Sequence, residues 1–262
     1  MVDWDDAAVD WAAFDLVVVR SPWDYTRRHD EFLDWAGRVA RATALANPPE
    51  ILRWSTDKRY MGDLRAAGLP VVPTAFAAPG ESMDWPDAAE VVVKPTISAG
   101  SLDTERHPAA RRVEAEAHVA RLHAEGRVAM AQPYLSAVEG ERGETALVFV
   151  DGTFSHALRK GPMLMPGLSL VGGLYVEEDI RAAEATAAER AVAEAAVAAI
   201  PGGGDRLLYA RVDLVPDDDG RPVVLELELV EPSLFLAHAA GAADRVARAI
   251  ASRLTTESSA PG

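Results

Sequence analysis

Two Asp-Gly pairs, each lying between runs of β-forming residues, constrain the fold of this chain more than any other feature. They are Asp151-Gly152, inside a predicted hairpin over 145–159, and Asp219-Gly220, inside a predicted hairpin over 207–230. An Asp-Gly pair between such runs is a strong short-range signal for a β-hairpin. The second half of the chain is therefore predicted to form antiparallel sheet.

Helical and strand-like segments alternate through the rest of the chain. Apolar β-branched runs predict strands, and amphipathic runs that stop at Gly or Pro predict helices. The predicted strands cover 14–19, 71–76, 89–95 and 128–134, and the predicted helices cover 30–44, 56–67, 109–125, 177–200 and 239–254. These elements indicate an α+β fold, in which helices back antiparallel sheets.

The overall charge argues against several classes of partner. The chain has 262 residues, with 26 Lys and Arg against 41 Asp and Glu, so its formal net charge is −15. Such a charge repels phosphate backbones and anionic lipids, which argues against a nucleic-acid or membrane partner. No apolar run reaches the ~18 residues of a membrane span, and no cysteine is present to form a disulfide or act as a thiol nucleophile. We expect a cytoplasmic protein.

The register of the second hairpin brings acidic residues together. If the hairpin turns about Asp219-Gly220, Asp213 faces Glu226 and Arg211 faces Glu228, all on one face of the sheet. Two carboxylates directly opposite each other destabilise a sheet unless something compensates their charge. One arginine cannot neutralise three acids, and Mg²⁺ prefers carboxylate oxygens. The pattern indicates a magnesium site, with a solvated acidic face as the alternative.

Lysine is rare in this chain. The 26 basic residues include three lysines, Lys58, Lys94 and Lys160. Because Lys is a compact point charge often used on phosphates, each is a candidate phosphate ligand, although chance retention on the surface is the alternative. Lys94 ends the apolar run 91–95 and precedes a loop of small residues, 96–101. That arrangement fits a phosphate loop or an ordinary turn.

Two further patterns have simpler interpretations. With the first hairpin centred on Asp151-Gly152, Glu144 faces Arg159, which favours a cross-strand ion pair. His118 and His123 lie five residues apart on a predicted helix, a poor spacing for metal ligands.

Taken in chain order, these signals resemble the ATP-grasp superfamily over about residues 50–250. The elements that carry the resemblance are Lys58 in Ser-Thr-Asp-Lys, Lys94 in Val-Val-Lys-Pro, the Ser/Gly loop after it, Gln132-Pro133-Tyr134-Leu135, Glu144, Arg159, Asp213 and Glu226-Leu227-Glu228. Within the superfamily, the chain is most similar to the cyclo-ligases of cycloserine biosynthesis, which act on O-ureidoserine, and to glutathione-synthetase-like ligases. The stretches that carry this closer likeness are 19–25, 156–162 and 229–233.

The resemblance implies an ATP-grasp fold, in which two α+β subdomains grip ATP behind a shortened α/β N-terminal domain. The implied divisions are 1–50 for the N-terminal domain, 51–130 for the central or lid subdomain, 131–255 for the C-terminal subdomain and 256–262 for a disordered tail. Relatives begin with a βα unit ahead of the segment that starts here at Met1, so we expect the N-terminal domain to be partial.

The resemblance also implies a role for each candidate site residue. Lys58 and Lys94 would contact the ATP phosphates under a lid loop that contains Ser98, Gly100 and Ser101. The remaining implied contacts are Gln132, Tyr134 and Leu135 for adenine, Glu144 for ribose with Glu139 and Glu141 as alternatives, Asp213, Glu226 and Glu228 for Mg²⁺, and Arg159, with Lys94, as catalytic residues at the transferring phosphoryl group.

Substrate candidates follow the first strand, where open α/β sheets usually bind ligands. They are Arg20, which would pair with a substrate carboxylate or else pack against Trp23, together with Trp23, Asp24, Tyr25 and, from the resemblance, Ser233. The implied activity is an ATP-dependent ligase or cyclo-ligase that activates a small amino-acid-like carboxylate as an acyl phosphate and forms a C–N bond. The alternatives are an amino-acid or peptide ligase of the glutathione-synthetase type and a non-catalytic ATP-binding protein. A homodimer is typical of the family.

Overall fold

The structure, a computed structural model, describes residues 1–140, 143–161 and 180–256. Its helices are α1 (His29–Ala42), α2 (Pro49–Ser55), α3 (Tyr60–Ala66), α4 (Arg112–Ala124), α5 (Ala187–Ala198) and α6 (Ala242–Thr256). Its strands are β1 (Leu16–Val18), β2 (Ala44–Ala46), β3 (Ala75–Ala77), β4 (Glu90–Pro95), β5 (Glu105–Pro108), β6 (Ala129–Pro133), β7 (Glu144–Val150), β8 (Thr153–Lys160), β9 (Ile180–Ala183), β10 (Tyr209–Pro216) and β11 (Pro222–Glu228).

The strands of the described residues form three sheets. A five-stranded antiparallel sheet has the order β11-β10-β7-β8-β9, and a four-stranded antiparallel sheet has the order β3-β6-β4-β5. Near the N-terminus, β1 and β2 form a two-stranded parallel sheet. The prediction of an α+β fold with antiparallel sheets is confirmed.

The five-stranded sheet is covered on both faces. Successive side chains of a strand point to opposite faces, and here successive positions are apolar. Leu147 and Phe149 pack in one core with residues of α2, α3 and α5. Ala146 and Val148 point the other way, into a core shared with β1, β2 and α6. A side chain's position in this alternation therefore decides whether it faces α5 or the opposite side of the sheet.

The smaller sheet has one helix packed on it. Ala115, Val119 and Leu122 of α4 lie in a core with Val91 and Val93 of β4. Their spacing of three to four residues places them on one face of the helix. No described helix combines the length and the apolar character that crossing a bilayer requires.

The first hairpin differs from its predicted register. Glu144 lies opposite Lys160, and Arg159 lies opposite Thr145. The prediction that Glu144 faces Arg159 was wrong because β8 contains a bulge at Ser155. Val148 pairs with His156 while Phe149 pairs with Phe154, so Ser155 is an extra residue and every later pairing moves by one.

The second hairpin has the predicted pairs at its functional end. Asp213 lies opposite Glu226 and Arg211 lies opposite Glu228, which confirms the predicted register. Nearer the turn, Pro216 lies opposite Pro222, so the loop is centred on Asp219 and the prediction was off by half a residue there. An irregularity after Asp213 restores the predicted pairing.

Other differences concern short elements. The strand predicted over 71–76 is confined to β3, while Val72 bonds through its backbone N–H to the carbonyl of Val224 on β11. Helix α2 and strands β2, β5 and β9 were not predicted. Helix α2 begins with Pro49 at its first position, where proline is well tolerated. The helix predicted over 177–200 was wrong at its start, because Ile180–Ala183 pair with β8 as strand β9 and α5 begins at Ala187. Residues 177–179, most of the loop 161–173 and the tail 257–262 lie outside the described residues.

Candidate active site

Residues of both larger sheets line a single cleft of about 1080 Å³. The cleft brings together most of the side chains that the sequence singled out. Those present in its lining are Trp23, Tyr25, Lys58, Lys94, Ser98, Gly100, Ser101, Gln132, Tyr134, Leu135, Glu144, Asp213, Glu226, Glu228 and Ser233. Their roles remain predictions, but strands and loops far apart in sequence place them on one surface.

Two lysines meet one carboxylate in the cleft. The Lys58 Nζ lies 3.1 Å from Glu226 Oε1, and the Lys94 Nζ lies 3.8 Å from Glu226 Oε2. Both lysine side chains are about nine-tenths buried. Burial lowers the pKa of Lys94, which the carboxylate of Glu226 opposes. Burial alone would raise the pKa of Glu226, but the two lysines hold it below its ordinary value.

The other two predicted metal ligands share an arginine. Arg211 donates to both carboxylate oxygens of Asp213 at 2.8 Å and also pairs with Glu228. The pKa of Asp213 is lowered; burial acts against this shift, and Arg211 and Lys160 outweigh it. The pKa of Glu228 is raised because burial outweighs the attraction of Arg211. The paired acids of β10 and β11 are thus held in place by cations.

Lys160 stands beside these acids, in the position that the sequence prediction gave to Arg159. Its Nζ lies 2.6 Å from Glu144 Oε1 and 3.3 Å from Asp213 Oδ2. Burial raises the pKa of Glu144 to about 7, although Lys160 opposes the shift. Glu144 was the predicted ribose contact, and in this structure its carboxylate contacts Lys160 at the charged end of the cleft.

Part of the cleft lining is apolar, and four of its residues pack in one cluster. Its lining there includes Val92, Leu135, Val138, Val215 and Leu225. This surface adjoins the predicted adenine linker, in which Tyr134 donates its backbone N–H to the Glu90 carbonyl at 2.9 Å. An apolar surface in a cleft suits a flat heterocycle.

The alternative ribose contacts are placed differently. Glu139 accepts a hydrogen bond from the Tyr134 hydroxyl at 2.8 Å and pairs with Arg106 at 2.7 Å. Its side chain is half-exposed and does not contribute to the lining of the cleft. Glu141 lies outside the described residues.

The small-residue loop after β4 closes over Lys58. The Lys58 ammonium donates to the Ser98 carbonyl at 2.7 Å. Gly100 and Ser101 have φ values of 60° and 59°, which lie in the left-handed region. Glycine adopts that conformation without strain, so the Ser-Ala-Gly-Ser sequence suits a tight turn beside a buried cation.

The substrate candidates are divided between the cleft and the surface. Tyr25 is buried, and burial raises its pKa with the help of the charge of Glu231, a residue that the sequence analysis did not single out. Burial, assisted by nearby Glu228, raises the pKa of Glu231 to about 8. Trp23 lines the same part of the cleft with nearly half of its surface exposed. The Ser233 carbonyl accepts a bond from Arg211 at 3.1 Å.

Three predicted site residues lie outside the cleft lining. Arg20 donates to the Pro232 carbonyl at 3.0 Å and stacks on the Tyr209 ring rather than on Trp23. Asp24 accepts from the Trp4 indole at 2.9 Å. Arg159 points to the α5 side of the sheet, where it pairs with Glu189 at 2.8 Å.

Three charged groups of the cleft received no specific role from the family resemblance: Lys160, which was a candidate only because lysine is rare, Arg211 and Glu231. Two carried a signal. Lys160 is one of three lysines in the chain, and Arg211 shares a sheet face with the acids. Glu231 lies within the stretch 229–233 that carries the closer family likeness, but it received no role there. It lines the cleft because the loop after β11 passes along it.

The arrangement combines the features that phosphoryl transfer needs. Buried ammonium groups can hold an anion, a cluster of carboxylates can hold a hard divalent cation, and an apolar wall can take a base. Such preorganised charges stabilise charge that develops in a transition state.

Comparison with known proteins assigns the chain to a family. Residues 1–47 match the model for the N-terminal domain of D-cycloserine synthetase DcsG. The chain is 46% identical to the cycloserine biosynthesis protein DcsG of Streptomyces lavendulae over 266 residues, covering 96% of this chain and 87% of that protein. The crystal structure of D-cycloserine synthetase DcsG superposes with a TM-score of 0.87 and 43% identity, over 97% of this chain and 89% of that one.

More distant structures share the fold. The D-alanine–D-alanine ligase of Bacillus anthracis, complexed with ATP, has a TM-score of 0.64 at 14% identity, covering 94% of this chain and 80% of the ligase. The ATP-grasp ligase PsnB, complexed with its minimal precursor, Mg and ADP, has a TM-score of 0.57 at 21% identity, covering 91% and 78%. By its identity to DcsG over almost its whole length, and by its fold, the chain belongs to the DcsG family and is an ATP-grasp ligase.

Proposed function

We propose that the chain is an ATP- and Mg²⁺-dependent cyclo-ligase that closes a ring within a small amino-acid-like substrate of the O-ureidoserine type. The substrate carboxylate would take the γ-phosphoryl group of ATP, which releases ADP. A nitrogen of the same molecule would then attack the acyl carbon, releasing phosphate and losing its proton. The observation that carries the proposal is the meeting of Lys58, Lys94 and the acids of β10 and β11 in one cleft.

The donor set of the cleft fits ATP and Mg²⁺. Asp213, Glu226 and Glu228 offer carboxylate oxygens, the ligands that Mg²⁺ prefers. In the structure these acids are paired with lysine and arginine side chains. Bound Mg²⁺ would neutralise the phosphate charge, while Lys58 and Lys94 would hold the phosphate oxygens directly.

The substrate end of the cleft is formed by Trp23, Tyr25, Ser233 and the Glu231 carboxylate. Trp23 provides an exposed aromatic surface, the buried Tyr25 provides a hydroxyl group, and the partly buried Glu231 provides a carboxyl group. Such groups suit the polar backbone of an amino acid, which supports a small-molecule substrate rather than a protein.

The test is a measurement of ADP release from Mg·ATP with a panel of small amino-acid carboxylates that includes O-ureidoserine. Mass spectrometry would identify the product of each reaction. The variant Lys94→Met removes one ammonium, and Arg59→Met is its matched control, because Arg59 is an exposed cation next to Lys58 in the sequence. We expect ADP release and a cyclised product with O-ureidoserine, a loss of about 100-fold or more in Lys94→Met, and near wild-type release in Arg59→Met.

Two outcomes would redirect the proposal. ADP release that requires a separate amine would identify a peptide-type ligase, because the nucleophile would then come from a second molecule. Tight ATP binding without ADP release from any carboxylate would identify a non-catalytic nucleotide-binding protein.

A further inference from the structure

A second group of potential ligands lies in the four-stranded sheet, outside the cleft lining. Glu105 and His107 lie two residues apart on β5, so their side chains share one face of the strand. His118 projects from α4, which packs on that face. His107 and His118 are almost fully buried, and Glu105 is one-quarter exposed.

The three side chains converge on one point. The His107 Nε2 lies 3.2 Å from the His118 Nδ1 and 3.7 Å from Glu105 Oε2. The His118 Nδ1 lies 4.0 Å from Glu105 Oε1. A tetrahedral zinc ion with Zn–N bonds of about 2.0–2.1 Å requires ligand atoms about 3.3 Å apart. The nitrogen pair already has this spacing, and a small shift of the partly exposed carboxylate would complete the triangle.

The electrostatic state of the cluster also suits a metal. Burial lowers the pKa of His107 and lowers that of His118 to about 4, so both rings are neutral at pH 7. Metal ligation requires neutral imidazole, so no proton has to be displaced from a charged ring. Arg121 donates to Glu105 Oε1 at 2.7 Å, which orients the carboxylate in the way that outer hydrogen bonds orient metal ligands.

We propose that Glu105, His107 and His118 bind a divalent transition metal of the zinc class and thereby brace α4 against β5. Three protein ligands leave a fourth position, which water can reach past the exposed side of Glu105. Histidine nitrogen and carboxylate oxygen together favour zinc over Mg²⁺, so this site would be chemically distinct from the carboxylate set of the cleft.

The experiment is a zinc titration of the full-length, tag-free chain by calorimetry and equilibrium dialysis in saturating Mg²⁺. The variants are His107→Gln and Glu105→Gln. The matched control is His123→Gln, because His123 lies on the same helix but bonds to the Ala77 carbonyl instead of joining the cluster. A cobalt spectrum of the same proteins would report whether the bound metal is tetrahedral.

We expect one zinc equivalent whose affinity falls about 10-fold or more in each ligand variant and stays at the wild-type value in His123→Gln. Zinc taken up by the cleft acids would be equal in all four proteins. Far-UV circular dichroism without metal would verify folding. Glu105→Gln, at the partly exposed position, provides the test if His107→Gln fails to fold. Wild-type zinc binding in both ligand variants, or no zinc binding in the wild type, would overturn the proposal and leave a hydrogen bond between two neutral histidines.

Discussion

Lys160 is an example of how single side chains are held in the cleft. Its ammonium is almost completely buried between the carboxylates of Glu144 and Asp213. A buried charge is tolerated when it is paired and hydrogen-bonded, and removing one partner leaves the other charge uncompensated. Burial lowers the pKa of Lys160, but Asp213 and Glu144 outweigh burial and raise it above the ordinary value, so the side chain is cationic at neutral pH.

This position predicts that Lys160 contributes more to turnover than Arg159, the residue that the family resemblance selects. Lys160→Met would remove a cation next to Asp213, whereas Arg159→Met would remove a partner of Glu189 on the α5 side. We expect kcat to fall about 100-fold or more in Lys160→Met and much less in Arg159→Met.

The comparison needs folded proteins, so melting curves of both variants accompany the kinetics. Arg159→Met serves as the internal reference, because it removes a similar long cation one residue away. A larger loss of kcat in Arg159→Met would return the catalytic role to Arg159 and imply that its side chain changes sides during the reaction.

At the scale of elements, the two hairpins show what the sequence could and could not predict. Alternation and turn residues were enough to place Asp213 opposite Glu226. In β8, the bulge at Ser155 reversed the predicted sides of Arg159 and Lys160. A serine in a strand gives no local signal of a bulge. In the structure the Ser155 hydroxyl accepts a hydrogen bond from Arg245 of α6 at 2.8 Å, a contact between elements that local sequence does not reveal.

The same distinction applies to the candidate site as a whole. Strand-end position, hairpin register and the family resemblance together selected fifteen residues that line the cleft, since motifs record which residues a fold brings together. They did not select Glu231, whose place depends on the loop after β11. The spacing of His118 and His123 was judged poor for metal ligation, and the structure instead pairs His118 with His107 on a neighbouring strand. Contacts between elements of this kind have no signature in local sequence.

The bulge also predicts an effect of pH on stability. His156 donates from Nε2 to the Leu234 carbonyl at 2.9 Å, so its Nδ1 carries the lone pair that accepts from Ser155. Burial lowers the pKa of His156, and nearby Arg245 adds to the shift against the effect of the Leu234 carbonyl. As the pH falls, the His156 ring is protonated in the unfolded chain at a higher pH than in the folded protein. The stability that the neutral ring contributes is therefore complete above about pH 6.5 and declines below that value.

Urea unfolding between pH 5 and 8 would test this prediction in the wild type and in His156→Gln. We expect the free energy of unfolding to depend less steeply on pH in the variant, by about 1 kcal/mol over this range. His123→Gln is the control variant, because it makes the same substitution at a histidine that bonds to the Ala77 carbonyl, away from the bulge. An unchanged pH dependence in His156→Gln would show that the histidine charges without breaking its contacts.

At the scale of the whole molecule, Asn47 fastens the N-terminal segment to the five-stranded sheet. Its side-chain amide donates to the carbonyls of Tyr209 and Leu229 at 2.9 and 2.8 Å. Its carbonyl oxygen accepts from the Leu208 backbone N–H at 2.8 Å. Asn47 is fully buried, so one side chain satisfies three backbone groups that water cannot reach.

Asn47→Ala is therefore predicted to destabilise the fold by about 3 kcal/mol or more, because three buried backbone groups lose their partner. Denaturant unfolding would measure the change. Thr26→Ala is a suitable control, since its hydroxyl makes an exposed bond to the Trp23 carbonyl and its loss should change stability by less than about 0.5 kcal/mol. Similar stabilities of Asn47→Ala and Thr26→Ala would contradict the role given to Asn47.

The pairing of Lys58 and Lys94 with Glu226 has a consequence for how the protein would take up a nucleotide. Two ammonium groups leave water when the chain folds, with a carboxylate of the protein as their counter-ion. The phosphate groups of an entering nucleotide would therefore replace the Glu226 carboxylate as the counter-ion of Lys58 and Lys94, which are already buried. Glu226 would act as a placeholder for phosphate as well as a metal ligand. Replacing it would loosen both lysines in the unliganded protein, and a weaker response to Mg²⁺ in such a variant would combine lost coordination with lost preorganisation.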